Sequence, residues 1–208
     1  MTIDVSLLTK YRVIPVITID SVELALPLAD ALIAGGLPLA EITFRTTVAA
    51  DVISCLVKER PELIVGAGTI LNAANLDTAI RAGAKFGVAP GFNREIVSLA
   101  RERDWLFVPG VCTPSEIETA LAAGCKLLKY FPAGALGGVP LVKAITAPYI
   151  HTGVQLIPTG GVTADNFTEY LAINGVAVCG GTWIATRDDI NNRKWDLITD
   201  RCKQVTGT

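Results

Sequence analysis

The sequence predicts an α/β fold closed on itself: a TIM (β/α)8 barrel with a short N-terminal helix. Three observations predict it. Eight short β-rich runs recur along the 208 residues, each followed by a helix-like segment. Their starts are 20 to 29 residues apart, which is the spacing of repeated βα units. Hydrophobic residues make up 50% of the chain and charged residues only 18%, as buried parallel strands require.

Taken in order, a short helix is expected around residues 4–10, ahead of the first run, VIPVIT (13–18). Asp20 and Ser21 then precede an apolar-periodic stretch that Gly35 and Gly36 stop. The runs LAEITF (39–44), LIVGAG (63–68), KFGVAP (85–90) and LFVPG (106–110) follow, with a glycine stop at Gly83. Thr113-Pro114-Ser115-Glu116 places a capping residue before a proline at the first helical position, with a glutamate to close the capping box. That helix is expected to end near Gly124, before KLLKYF (126–131). QLIPTG (155–160), a stop at Gly175 and VAVCGG (176–181) complete the eight. No linker or break in composition interrupts residues 1–208, so one domain is expected. The alternative is an open doubly wound sheet, whose dinucleotide-binding form is weakened by the missing GxGxxG after the first strand.

Composition excludes several classes. A net charge of −2 with scattered basic residues argues against nucleic-acid and membrane-surface binding. Cys55, Cys112, Cys125, Cys179 and Cys202 form no CxxC pair, and His151 is the single histidine, so no metal site is expected. Free thiols suit a reducing, cytoplasmic setting. The start, MTIDVSLLTKYR, lacks the pattern of a signal peptide. The uncharged stretch 144–164 carries two prolines and several glycines and does not read as a membrane helix.

The barrel gives meaning to charges in apolar runs. In LAEITFR, Glu41, Thr43 and Arg45 share one face, while Ile42 and Phe44 share the other. A polar face in a barrel strand points at the lumen, with Arg45 nearer the C-terminal mouth. Lys129 follows Leu127 and Leu128 and shares a face with Leu127 and Phe131. A lone strand lysine usually snorkels to water, and Glu41 with Arg45 could be a structural ion pair. Two strands that each place a charge mid-run point instead to a site at the strand C-termini. Burial disfavours an ammonium relative to the neutral amine, and a neutral amine attacks a ketone to form a Schiff base. Glu41 is then the candidate proton carrier and Arg45 the candidate clamp for a substrate carboxylate.

PTGGVT (158–163) and CGGTW (179–183) follow the seventh and eighth runs, where barrels often hold phosphate on backbone N–H groups. Thr159 and Thr182 can add hydroxyls there. Thr69 either faces the mouth or caps a helix, and Pro90 either shapes the pocket wall or makes a turn. His151 reads as a surface residue, Trp105 and Trp195 as packing, and Trp183 as a buttress for the second loop. Asp188-Asp189 reads as the solvated start of the last helix.

Together these motifs resemble the family of aldolases that act on 2-keto-3-deoxy-6-phosphogluconate, which includes 4-hydroxy-2-oxoglutarate aldolases. The resemblance rests on GLPLAEITFR (36–45) and GCKLLKYFPAGALG (124–137), with GAGT, APG, PTGG and GGTW in the family's order. It implies a cofactor- and metal-independent class I aldolase that releases pyruvate and glyceraldehyde 3-phosphate from a phosphorylated 2-keto acid. It further implies Lys129 as the Schiff-base residue, Glu41 as general acid/base, and Arg45 and Thr69 on the pyruvate carboxylate. Pro90 and Phe131 would line that pocket, and Gly160, Gly161, Gly181 and Thr182 would lie at the phosphate end. A homotrimer is implied as well. The chain departs from the family's usual residues at Tyr130, Gly134 and Thr182.

The competing readings are an aldolase whose main or second activity is on 4-hydroxy-2-oxoglutarate, a phosphosugar isomerase in which Glu41 alone moves a proton, and a phosphate-binding barrel without turnover. The last leaves Glu41 unexplained.

Overall fold

Side chains alternate along a strand, so parallel strands with helices on one side must also fill the other side. A computed structural model of the chain describes residues 5–207. Its strands are β1 (Val13–Ile17), β2 (Leu39–Thr43), β3 (Ile64–Gly68), β4 (Phe86–Val88), β5 (Leu106–Val108), β6 (Gly110–Val111), β7 (Leu127–Tyr130), β8 (Gln155–Pro158) and β9 (Cys179–Gly181). All pair in parallel, in one arc ordered β5-β4-β3-β2-β1-β9 and a second ordered β6-β7-β8. β5 and β6 are one stave interrupted at Pro109, which has no N–H to give a ladder. The Pro109 carbonyl accepts from Lys129 N at 2.9 Å and carries the pairing across the gap. The arcs meet again through the bridges Leu156–Val176 and Thr159–Gly180. Eight staves therefore close, as the run spacing predicts, in the TIM-barrel manner.

Alternation sorts the apolar residues into two clusters. Val13, Ile17, Ala40, Ile42, Val65, Ala67, Leu128, Tyr130 and Leu156 face outward and join the helices in the larger one. Ile14, Leu39, Phe86, Val88, Leu106, Val108, Leu127, Ile157 and Val178 face inward and fill the lower lumen. Leu8, on the N-terminal helix α1 (Ser6–Thr9), belongs to this inner cluster and plugs the N-terminal end. The helix is shorter than its expected span, of which Asp4 lies outside the described residues.

The outer helices are α2 (Ala25–Ala34), α3 (Ala49–Glu59), α4 (Ala73–Arg81), α5 (Arg94–Glu102), α6 (Pro114–Ala122), α7 (Ala133–Leu136), α8 (Gly138–Thr146), α9 (Phe167–Leu171), α10 (Arg187–Asn191) and α11 (Trp195–Thr206). α6 has its capping box: Thr113 accepts from Glu116 N, and Glu116 Oε2 accepts from Thr113 N at 3.0 Å. Glu116 also accepts from Cys112 N at 2.7 Å, which holds its carboxyl below the usual range. No described helix is long and apolar enough to cross a membrane.

Asp188-Asp189 differs from expectation. The pair opens α10, the penultimate helix, and only Asp188 is solvated. Asp189 is buried, accepts from the Thr186 hydroxyl at 2.6 Å and from Arg201 at 2.7 Å, and pairs with Lys194 at 3.1 Å. The sequence pattern missed this because Arg201 arrives from α11, after the chain turns back.

These contacts, led by the Thr186 hydroxyl and Arg201, pull the Asp189 carboxyl down to about 2. A carboxyl depressed on folding contributes stability above its unfolded pKa near ~3.9, and that contribution disappears as pH falls through the folded value. Asp189→Asn should therefore cost about 1–2 kcal/mol at neutral pH, with the difference vanishing between about pH 4 and pH 2. Urea titrations of both proteins across that range check it; a cost independent of pH would refute the assignment.

Candidate active site

Above the apolar plug the lumen turns polar. Glu41 points inward from β2 and Lys129 from β7, and Lys129 Nζ donates to Glu41 Oε1 at 3.2 Å. β2 and β7 are the second and sixth staves, so this contact crosses the barrel between opposite walls. Both residues are nearly sealed, Glu41 at 3% and Lys129 at 6% exposure. Isolated charges at that depth would be costly, and each is the other's compensation. Among the described residues no buried side-chain nitrogen or oxygen lacks a partner.

Two glycines on β3 make room. A β-carbon at Gly66 would overlap the Phe86 ring, and one at Gly68 would overlap the Glu41 carboxyl. The sequence reading gave Gly68 no role, because an absent side chain signals nothing until its neighbour is known. The third inward residue of β2 after Leu39 and Glu41 is Thr43, buried, which donates to Ile17 O at 2.9 Å. Its Oγ1 also lies 3.0 Å from the hydroxyl of Thr18, a residue the sequence reading likewise left unassigned.

Arg45 lies just past β2 and is exposed, with no side-chain partner among the described residues. Thr69 ends the β3 stave with φ 61°, half-buried. A β-branched residue is a genuine outlier there, at a cost of order 1–3 kcal/mol, and such strain clusters at functional sites. Pro90 follows β4, and a β-carbon on Gly110 would overlap its carbonyl group, so the ends of these staves touch. The Phe131 ring lies 5.7 Å from Lys129 Nζ and packs over Gly160, forming a wall beside the amine.

The two glycine loops lie side by side. Gly160 and Gly161 have φ of 83° and 80°, in the left-handed region that favours glycine. Gly134 N donates to Gly160 O at 2.7 Å, and a β-carbon at Gly134 would come within 2.9 Å of Gly161 Cα. The glycine at this position thus lets the two turns touch. Gly181 is buried against the Trp183 indole, as the buttress reading expects, and Thr182 is exposed beyond it. Thr159, expected to add a hydroxyl at the phosphate end, is instead buried between β8 and β9, against Gly180, and donates to Ile157 O at 3.2 Å. Tyr130 faces outward, fully buried, with its hydroxyl 3.4 Å from Cys112 O. His151 is exposed on a short 3-10 turn.

Val16, Thr18, Arg45, Thr182, Ala185, Thr186 and Arg187 line a cavity of about 370 Å³. A larger one, about 450 Å³, lies toward the opposite end between α5 and the starts of β5 and β7, among Val97, Trp105, Phe107 and Leu127. It contains none of the charged pair or the loops; the smaller cavity does not reach the pair either, but it takes in Arg45 and Thr182 beyond the strand C-termini.

Comparisons with known proteins find relatives over nearly the whole chain. The family model described as KDPG and KHG aldolase matches residues 4–201. The 2-dehydro-3-deoxy-phosphogluconate aldolase of Haemophilus influenzae is 41% identical over 198 residues, covering 95% of this chain and 92% of its own. The KHG/KDPG aldolase of Escherichia coli K12 is 40% identical over 200 residues, covering 96% and 93%. Among solved structures, KDPG aldolase from Legionella pneumophila, with pyruvate captured as a covalent carbinolamine intermediate, superposes with a TM-score of 0.92 at 39% identity, covering 96% of both chains.

The buried pair makes a stability prediction. Lys129→Met or Glu41→Leu alone strands one charge and should cost about 3–5 kcal/mol. The double substitution replaces the pair with apolar volume and should be at least as stable as the parent. Chemical denaturation of the four proteins checks this; additive losses in the double variant would show that the two residues do not act as a pair.

Proposed function

The chain belongs to the KDPG and KHG aldolase family, and on that premise we propose that it cleaves 2-dehydro-3-deoxy-6-phosphogluconate to pyruvate and glyceraldehyde 3-phosphate. The observation that carries the reading is the 3.2 Å contact between Lys129 and Glu41 inside the barrel mouth. An amine that must be neutral to attack has a carboxylate beside it to take its proton, so no charge need be moved through the apolar lumen.

The steps then follow from the residues. Lys129 Nζ adds to the C2 carbonyl of the substrate, and Glu41 relays the protons that turn the carbonyl oxygen into leaving water. An iminium remains. The Glu41 carboxylate takes the proton of the C4 hydroxyl, the C3–C4 bond breaks, and its electron pair moves to the iminium nitrogen. C4 leaves as the aldehyde carbon of glyceraldehyde 3-phosphate. The enamine recovers the proton at C3, and water hydrolyses the imine to release pyruvate and the free amine. No metal or cofactor takes part in these steps.

Arg45, exposed and unpartnered among the described residues, is suited to a bidentate contact with the C1 carboxylate, with the strained Thr69 as its neighbour on the next stave. Pro90 and Phe131 form the pocket wall. The backbone N–H groups of the Gly160–Gly161 turn, with Gly181 and the Thr182 hydroxyl, suit a phosphate. The reading extends to a cytoplasmic homotrimer, which sedimentation equilibrium tests.

A second reading is favoured by the name of the Escherichia coli relative, which couples both activities. In it the chain also cleaves 4-hydroxy-2-oxoglutarate to pyruvate and glyoxylate. Comparing kcat/KM for the two substrates decides their balance; a strong preference for the unphosphorylated acid would remove the phosphate site.

Borohydride added with pyruvate should fix a covalent adduct on the Lys129 peptide, read by mass spectrometry. Unmodified Lys129 at saturating pyruvate would rule the mechanism out. Lys129→Arg should abolish cleavage, whereas an isomerase using Glu41 alone would keep some activity. Gly68→Ala, which crowds the Glu41 carboxyl, should lower kcat on the order of 100-fold with the fold retained by circular dichroism.

A further inference from the structure

We propose that Thr18 binds the substrate's C5 hydroxyl and so selects the aldehyde half of the molecule. The inference rests on the functional reading above and adds a residue that neither the sequence motifs nor the loops assign.

The direction of the hydrogen bonds makes the case. A threonine hydroxyl has one proton and accepts through its lone pairs. Thr43 spends its proton on Ile17 O at 2.9 Å. The 3.0 Å contact between the Thr18 and Thr43 hydroxyls therefore has Thr18 as donor and Thr43 as acceptor. With that proton held, Thr18 presents only lone pairs to the cavity it lines. It is preset to accept a hydrogen bond, so its ligand must be a donor. A phosphate or carboxylate oxygen is the wrong partner, and a substrate hydroxyl is the right one.

Register places that hydroxyl. Val16 pairs with Glu41, so Thr18, two residues on, stands one inward-facing step nearer the mouth than the proton carrier. The C4 hydroxyl is taken by Glu41 during bond cleavage. The next donor along the chain is the C5 hydroxyl, and beyond it comes the phosphate. The cavity that Thr18 lines also takes in Arg45, read above as the carboxylate clamp, and Thr182, read as part of the phosphate end. Thr18 is half-buried, so its hydroxyl reaches a ligand without competing fully with bulk water. Arg187, at the rim, does not replace it, because its guanidinium is held by Asp20 at 2.7 Å.

The test uses the addition direction, with pyruvate and two acceptor aldehydes: glyceraldehyde 3-phosphate and 3-phosphopropanal, which lacks only the hydroxyl in question. The parent should prefer the hydroxylated aldehyde about tenfold in kcat/KM. Thr18→Val, which keeps the shape and removes the acceptor, should abolish that preference, and Thr18→Ser should restore it. Thr18→Ala gives the same reading should the valine variant fold poorly. A purely structural threonine would lower both rates together and leave their ratio intact. An unchanged preference in Thr18→Val and Thr18→Ala overturns the inference. A parent that condenses pyruvate with neither aldehyde overturns the aldolase reading beneath it instead.

Discussion

A single ion pair, stretched across the barrel between opposite staves, sets the terms for everything around it. Lys129 and Glu41 are 88 positions apart in sequence and 3.2 Å apart in space. Removing two charges from water costs several kcal/mol each, and their attraction returns that only with good geometry. The geometry needs both strands at one height and an empty position beside the carboxylate. Register supplies the first, since Gly110, the first residue of β6, aligns with Lys129, as Val16 of β1 does with Glu41. Gly68 supplies the second by having no side chain where Glu41 must lie.

The division of the lumen follows from the same pair. Below it, Leu8, Phe86, Leu106, Leu127 and Ile157 exclude water from the N-terminal end. Above it, the inward positions are Thr43, Thr18 and Thr159, each with its hydroxyl bonded to a backbone carbonyl or a neighbour. Chemistry is thereby confined to one end of the barrel. The outer cluster, which packs the staves against the helices, is left free to stabilise the fold without any demand from the site.

Much of this was legible in the sequence because strand parity is a strict code. A charge inside an apolar run must face either solvent or lumen, and a closed barrel leaves only the lumen. Parity together with a charge placed mid-run in each of two strands pointed to Glu41 and Lys129, whereas the wall role of Phe131 came from the family resemblance. Other features carried no such mark. Threonine is at home on either face of a strand, so Thr18 at the end of VIPVIT looked like an ordinary strand residue. Gly68 was hidden inside a β-rich run, where its need appears only once Glu41 is placed across from it. The burial of Asp189 depends on Arg201 of the next helix together with Lys194 at that helix's start and the Thr186 hydroxyl, and the turn that brings Arg201 back is not encoded by local pattern.

The distribution of strain and order gives the last step. Thr69 is held at φ 61° at the end of β3, directly after the glycine that admits Glu41. A left-handed β-branched residue persists only where its surroundings over-determine it. Here Ile70 N donates to Val88 O at 3.1 Å, which pins the chain on its far side, while Gly68 O accepts from Phe44 N at 2.8 Å on the near side. Thr69 is thus clamped between two neighbouring staves, and its position is set before any ligand arrives. The Gly160–Gly161 loop is fixed in the same way by Ala133 N and Gly134 N, which donate to Thr159 O and Gly160 O at 2.8 and 2.7 Å. Both ends of the site are preorganised through backbone bonds to an adjacent stave or turn, and side chains are spared for the ligand. Such a site loses little entropy on binding, which is the condition under which a few well-placed hydroxyls and N–H groups can discriminate between similar small molecules.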